Sequence, residues 1–523
     1  MRWSTRANRA RRLAAVMTAV ATATVLAGCG GGSSSDGGGA ESGLRIAYPL
    51  AKSLDPHQAA EPIQMLIATW PVYDRLIQIN PDSEYEPMLA TEWEFSGDGK
   101  TLTLELRDDV TFTDGVAFDA EAVKANLDDF RAAEGTALQA NLANVSEVTV
   151  VDDDTVEIGL AEPSTEILST LASGLGGAMI SPKALESGDL ATTPVGTGAY
   201  EVESFTPGQE VVYTRRTDEG GIWDDKTGKP AKVSITNMDP DAQINALKSG
   251  QIDLAGWSQV TDPFQTQLDS GQLDYTTIEG ALTMVGVNFN RTMKPFDDPL
   301  VREAVNYAID RESIVEAFQP DAQPRVQPWP DGISGFDEGR ESEYSYDPEK
   351  AKSLLAQAGY ADGIDAGEML VAQSGALPAA AETIQSSLAD VGIDLKLRNV
   401  DVFTLVTAWA ESKANAQLMY MSVPSLDPYT WLQRLFGNPM FTPGGPDQEM
   451  TKLMAGLDDP GLSEEERAER AGEAVQYALD ESYYGMVYQG SGGLVSAPSV
   501  KGLDDLASVS GGVVDLRNTY LEK

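Results

Sequence analysis

Residues 284–318, MVGVNFNRTMKPFDDPLVREAVNYAIDRESIVEAF, decide how the chain is read. Val285, Val287 and Phe289 fall on one side of a strand, the period of two that buries a single face. Asp298 then offers an N-cap oxygen to the unpaired amides of a new helix, and Pro299 stands at N1, where a missing N–H is harmless. Val301, Ala304, Val305, Ala308 and Ile309 follow on one stripe, which predicts a long helix. Residue physics alone says that a strand delivers the chain into a helix.

The 523 residues suffice for about three compact units at roughly 150 residues each. An apolar content of 42% and an aromatic content of 7% allow sizeable cores. Against 37 basic residues stand 81 acidic ones, a formal charge of −44. That balance excludes nucleic acid, whose phosphates need a basic face, and describes a solvated, self-repelling surface. One cysteine, Cys29, permits no disulfide within the chain, and one histidine, His57, removes most metal and triad chemistry. No catalytic residue, metal site or cofactor is assigned.

Residues 1–28 read as an export signal. Arg2, Arg6, Arg9, Arg11 and Arg12 precede an apolar run too short to span a bilayer. Leu26-Ala27-Gly28-Cys29 resembles the lipobox of bacterial lipoproteins, which implies cleavage before Cys29 and a diacylglyceryl group on its sulfur. Loss of the five arginines would deepen the charge to about −49. The glycine- and serine-rich residues 30–39 that follow form a flexible tether. Arg11-Arg12 leaves the Sec and twin-arginine export routes both open.

Further on, Leu102, Leu104 and Leu106 alternate with polar residues as a half-buried strand, entered through a hairpin turn at residues 96–99. Asp119 caps a helix, and residues 148–160 form a second hairpin through Asp152, Asp153 and Asp154. Gly196 and Gly198 serve a close backbone approach or a tight turn. Residues 241–250 read as a helix closed by Gly250, followed by a short strand ending at Trp257. Open α/β sheets bind ligands outside the carboxyl ends of their strands, so Trp257 is either a ligand platform or a packed core residue. Asp347, Pro348 and Gly359 delimit another helix, and residues 369–397 form a βαβ unit with Ser374 just after its first strand. Residues 457–488 read as two acidic helical segments.

Six motifs in order resemble the extracytoplasmic solute-binding proteins of the peptide/nickel class, the capture subunits of ABC importers. They are SLDPHQA at 53–59, the dense match of 73–115, PVGTGAY at 194–200, and NFN with PFDD and VREAVNYAIDRESIV at 288–315. YDPEKAKSLLAQAGY at 346–360 and QLMYMSVPSLDPYTW at 417–431 complete the set. The resemblance implies an α/β, two-lobed periplasmic-binding-protein-like fold with an extra small α+β domain, its lobes joined by two crossing segments. Lobe I would comprise 44–75, 186–290 and 489–523, the small subdomain 76–185, and lobe II 291–488. The crossings would be the 284–318 segment and the glycine-rich 489–493. Candidate ligand contacts are Trp257, Ser374, Trp409, Tyr420, Met421, Ser422 and Asp427. Peptide-binding members carry an amine-gripping aspartate where this chain has Pro424; Asp427 is a substitute or simply the Asp-Pro start of a helix.

The implied activity is capture of a di- or oligopeptide-like solute between lobes that close on it. The partners are membrane permease subunits and, through Cys29, the membrane itself. The protein would be a monomer on the extracytoplasmic face. An oligosaccharide or a metal chelate is the alternative solute. A secreted hydrolase, the rival from another class, would need a nucleophile and base; no Gly-x-Ser-x-Gly elbow is present.

Overall fold

An eleven-stranded sheet organises the molecule. Its path runs Ile393–Val400, Ile364–Ala372, Ala416–Ser422, Asp274–Phe289, Tyr484–Ser496, Leu254–Gly256, Leu44–Ala47, Lys232–Thr236, Glu210–Arg215 and Tyr200–Thr206, with Gln323–Pro324 added beside Tyr484–Ser496. The computed structural model describes residues 43–58, 62–80, 84–133, 142–218, 221–256, 262–320, 322–422, 427–438, 441–504, 506, 508–510 and 513–522. Cys29 and the export segment lie outside them.

Two antiparallel strands stitch the halves of this sheet together. Residues 274–277 lie against 493–496, which also pair with Leu254–Gly256, whereas 283–289 lie against Ala416–Ser422. Both Asp274–Phe289 and Tyr484–Ser496 therefore belong to the two halves at once, and the first passes between them at 277–283, ahead of the 284–318 segment expected to cross. Between them the register slips: the four residues between Thr277 and Leu282 face the one between Gly493 and Ser491.

Three large apolar cores flank this frame. One draws only on residues 284–488, and a second on 44–73, 175–278 and 494–516. The third, drawn from 76–179, lies under a separate four-stranded sheet of Ala90–Phe95, Thr101–Leu106, Thr155–Leu160 and Val145–Val150. This is the two-lobed α/β architecture with a small α+β unit that the family resemblance implies. By chain contacts Glu41–Lys523 is a single compact unit.

Local signals explain most helix boundaries. Asp298 accepts from the Leu300 amide at 2.9 Å, ahead of Pro299–Ala308. Asp347 accepts from Lys350 N at 2.9 Å, and Gly359 leaves the helix at φ +91°.

Three readings are corrected. The strand of Val285 is buried on both faces, because Met284, Asn288 and Val287 alike have no exposed surface. Both faces are covered, so its alternation of Val with Gly and Asn does not mark a wet face. The long helix is two, Pro299–Ala308 and Arg311–Phe318, since Asp310 takes the Ser313 amide at 3.1 Å and its hydroxyl at 2.7 Å and starts a second helix. The stretch 457–488 holds one long helix, Glu464–Asp480, opened by a Ser463–Glu466 capping box; Tyr484 already begins a crossing strand.

Candidate binding site

Parallel strands have a direction, and here both sets point at the same place. Ile364–Ala372 is parallel to both Ile393–Val400 and Ala416–Ser422, and the last is antiparallel to 283–289. Their carboxyl ends therefore lie at the edge where the chain crosses. On the other side Leu44–Ala47, Lys232–Thr236 and Leu254–Gly256 are parallel, and Gly256 pairs with Leu494 beside the same crossing. Two sets of strand ends thus face each other around 277–282 and 491–493, the position where open sheets hold ligands.

The candidates separate on this frame. Trp257, directly after Gly256, falls outside the described residues. Ser422 ends its strand at the crossing edge. Ser374 is half-buried two residues past Ala372, in a turn closed by its own amide to Ala372 O (2.8 Å) and by Leu377 N to its carbonyl (3.2 Å). Tyr420 and Tyr488 stand on either side of Val285 in register. Burial pushes the Tyr488 phenol up, and the neighbouring Tyr420 hydroxyl adds to it. Met421, opposite Met284, has no exposed surface. Trp409 is equally buried on the helix Val402–Ala410, which packs on Ile364–Ala372, so in this structure it is a core side chain. Asp427 caps Pro428–Leu432, accepting from Thr430 N at 2.8 Å and Thr430 Oγ1 at 2.9 Å. That commits its carboxylate to the helix start. Pro424 lies outside the described residues.

The sequence reading missed a seam between the four-stranded unit and the 284–488 side. The Thr165 amide donates to the Asp458 carbonyl at 2.8 Å, and the Ser164 hydroxyl reaches the Asp458 carboxylate. Beside them a Cβ on Gly99 would stand 2.8 Å from Pro460 and 3.0 Å from Pro163. Three carboxylates converge here. Burial pushes the Glu166 carboxyl up, and Asp458 and Asp427 push it further. Asp458 is also raised by burial, with the Ser164 bond opposing and Asp427 adding. Burial and these same three acids drive Tyr429 up to about 12, against the opposing Gln433 bond. No spacing pattern in the sequence links residues 166, 427 and 458. His57, by contrast, is structural: its Nδ1 is 2.7 Å from Asp129 and its ring 5.0 Å from Phe130. Among the described residues no group of His, Cys, Asp and Glu is arranged to hold a metal ion.

Comparison with known proteins fits this geometry. The profile described as bacterial extracellular solute-binding proteins, family 5 Middle, matches residues 84–442. The chain belongs to that family. Its members are the solute-capturing components of ABC importers, not enzymes, and work outside the cytoplasm. The chain is 32% identical over 358 residues to the glutathione-binding protein GsiB of Salmonella paratyphi A, covering 67% of each. It is 30% identical over 358 residues to GsiB of Escherichia coli K12, again 67% of each. Among solved structures, periplasmic DppA of Helicobacter pylori with the peptide STSA aligns at a TM-score of 0.76 and 23% identity, over 92% of this chain and 98% of the other. NikA of Brucella suis with Fe(III)-EDTA aligns at 0.79 and 21%, over 92% and 100%. No helix among the described residues is long and apolar enough to cross a membrane.

For a family-5 binding protein the acidic seam has a consequence. Glu166 and Asp458 hold protons more tightly with the seam formed than on separated surfaces. Seam formation is thus favoured as pH falls toward the ordinary carboxylate range and weakens as pH rises through the raised values. Arg467 is the nearby cation, but it donates to the Leu457 carbonyl and, at 3.0 Å, to that of Asp459. Lys100 on the facing hairpin is bonded to Ala161 O and Glu162. Solute affinity measured from pH 8 to pH 5 is expected to rise several-fold, and Glu166→Gln to flatten that slope. A wild-type affinity indifferent to pH would refute the coupling.

Proposed function

We propose that the chain is a lipid-anchored capture subunit that takes a di- or oligopeptide-like solute between its lobes and hands it to a membrane permease. The observation that carries this reading is the convergence of two sets of parallel strand ends on one pair of crossing strands. The curated relatives named for glutathione, a peptide derivative, favour a peptide-like solute over a sugar. On this reading lobe I is 44–75, 186–290 and 489–523, the small subdomain 76–185, and lobe II 291–488, a division supported by the three cores. On the same reading the solute contacts are Trp257, Ser374, Tyr420, Ser422 and Asp427, whereas Met421 and Trp409 are buried core side chains. Ligand contacts made better with the lobes shut drive closure.

A thermal-shift screen of glutathione, di- and tripeptides, oligosaccharides and metal chelates tests the assignment. A cognate solute at a hundred times its dissociation constant stabilises by about 2.7 kcal/mol. A response to sugars alone would overturn the peptide reading, and silence across the panel would overturn capture of these solutes. Anchoring is tested separately. Cys29 should label with palmitate, and Cys29→Ala should move the protein from membrane to soluble fraction; retention of the variant at the membrane would refute the lipid anchor.

A further inference from the structure

Among the described residues the buried arginines have polar partners, whereas the half-buried Arg434 does not. Arg302 donates to the carbonyls of Phe296 (2.8 Å), Glu481 (2.6 Å) and Ser482 (3.1 Å). Arg311 donates to Met486 O (2.8 Å), Tyr344 O (3.0 Å) and Asn306 Oδ1 (2.8 Å). Arg325 and Arg517 face carboxylates. Arg434 has neither. Among the described residues no carboxylate, carbonyl or amide accepts from it, and its Nε is buried without a partner. The Phe441 ring centroid lies 4.9 Å from the guanidinium carbon. Burial alone lowers its pKa to about 10, so it stays charged at neutral pH.

A desolvated cation without a counter-charge is unfavourable, and such a group calls for an explanation. Its place supplies one. Arg434 sits in the turn Gln433–Gly437 that continues Pro428–Leu432, two turns beyond Asp427. Asp427 already faces Glu166 and Asp458 across the seam. Arg434 as a whole residue is half-buried although its Nε is sealed, so the side chain is recessed from bulk water without being wholly closed off. The Phe441 ring lies beside the guanidinium, whose planar fork matches an oxyanion with two parallel N–H bonds.

We propose that Arg434 is the anchor for a carboxylate of the captured solute, which makes this protein selective for acidic solutes over their neutral amides. The inference rests on the cleft reading above and adds the ligand's charge to it. It also explains why the residue is tolerated unpaired in the free protein: the missing acceptor arrives with the cargo.

The test uses the full-length protein, Arg434→Lys and Arg434→Met. Calorimetric titration with glutathione and with the dipeptide Met-Leu, each as free acid and as C-terminal amide, should show at least tenfold preference for the acid in wild type. Arg434→Lys should keep part of that preference and Arg434→Met none. In a second arm, melting is followed in acetate, inorganic phosphate and chloride at matched ionic strength. Oxyanions should raise the wild-type melting temperature relative to chloride and leave Arg434→Met unmoved. Because methionine removes an unpaired buried charge, the ligand-free variant should melt no lower than wild type. Equal affinity for acid and amide, or a methionine variant that still discriminates, overturns the anchor while leaving the cleft reading intact. An Arg434-dependent oxyanion response with no peptide binding sinks peptide capture and leaves the anchor standing. A methionine variant that melts well below wild type and responds to oxyanions as wild type does would make Arg434 structural.

Discussion

Replacing Arg517 by methionine should lower the unfolding free energy by about 3–5 kcal/mol. The guanidinium lies between two buried acids, 2.9 Å from Asp74 and 2.8 Å from Asp515, and Asp515 also takes Arg75 at 2.9 Å. Asp74 receives in addition the Thr197 hydroxyl (3.0 Å) and the Trp223 indole N–H (2.7 Å). None of Asp74, Arg75, Asp515 and Arg517 is more than 9% exposed. Removing the central cation leaves carboxylates without water or adequate counter-charge, and that, more than a lost attraction, is what destabilises. Urea titration reads the effect; a loss below about 1 kcal/mol would mean that water reaches the site. The pH dependence has a definite sign. Burial raises the Asp515 carboxyl, but Arg517 and Arg75 outweigh it and hold it below the usual value. Its contribution is therefore present above the unfolded value, near pH 4, and is lost as pH falls through the depressed folded value.

Gly196→Ala should cost about 3 kcal/mol, at the upper end of overpacking effects. A Cβ there would stand 2.2 Å from the Val72 carbonyl oxygen and 2.5 Å from the Tyr73 ring. The first of these is backbone and cannot turn aside. Neighbouring bonds hold the segment in place: Gly198 N reaches Val72 O at 2.8 Å, and Thr113 N reaches Gly196 O at 2.9 Å. Gly97→Ala is the control, since nothing lies within 4 Å of its Cβ position; its melting should shift by no more than about 0.5 kcal/mol equivalent. Similar losses at both sites would mean that the close approach at 196 relaxes freely.

Where a residue's role is decided by its near neighbours, the sequence was a sufficient guide. Asp298, Asp347 and Asp427 each cap a helix beginning with proline, because an aspartate oxygen and a fixed φ act within three residues. Gly99, Gly250 and Gly359 take the positive φ that their turns require. The βαβ unit of 364–400 follows from its periodicity. What escaped depends on distant partners. The second face of the Val285 strand is buried as well, and its in-sheet neighbours come from segments more than a hundred residues away. Asp74 and Arg517 meet across 443 positions. Glu166, Asp427 and Asp458 look like ordinary surface acids until folding gathers them. Arg434, inside the apolar run Trp431-Leu-Gln-Arg-Leu-Phe436, was the one such residue that local hydropathy could have flagged. Trp409 and Met421 looked like aromatic and thioether ligand surfaces for the converse reason: residue type does not report which side of a sheet is filled.

Val285 and Tyr488 are rungs of one ladder, directly opposite each other, although 203 residues separate them along the chain. The whole intervening span leaves and re-enters through a single doorway about 5 Å wide. An excursion whose ends meet adds little further loop-closure entropy however long it grows. Its core, built wholly from its own residues, has no need to wait for the rest of the polypeptide. Lifted out by gene rearrangement and joined end to end with a short turn, such a span is expected to keep that core.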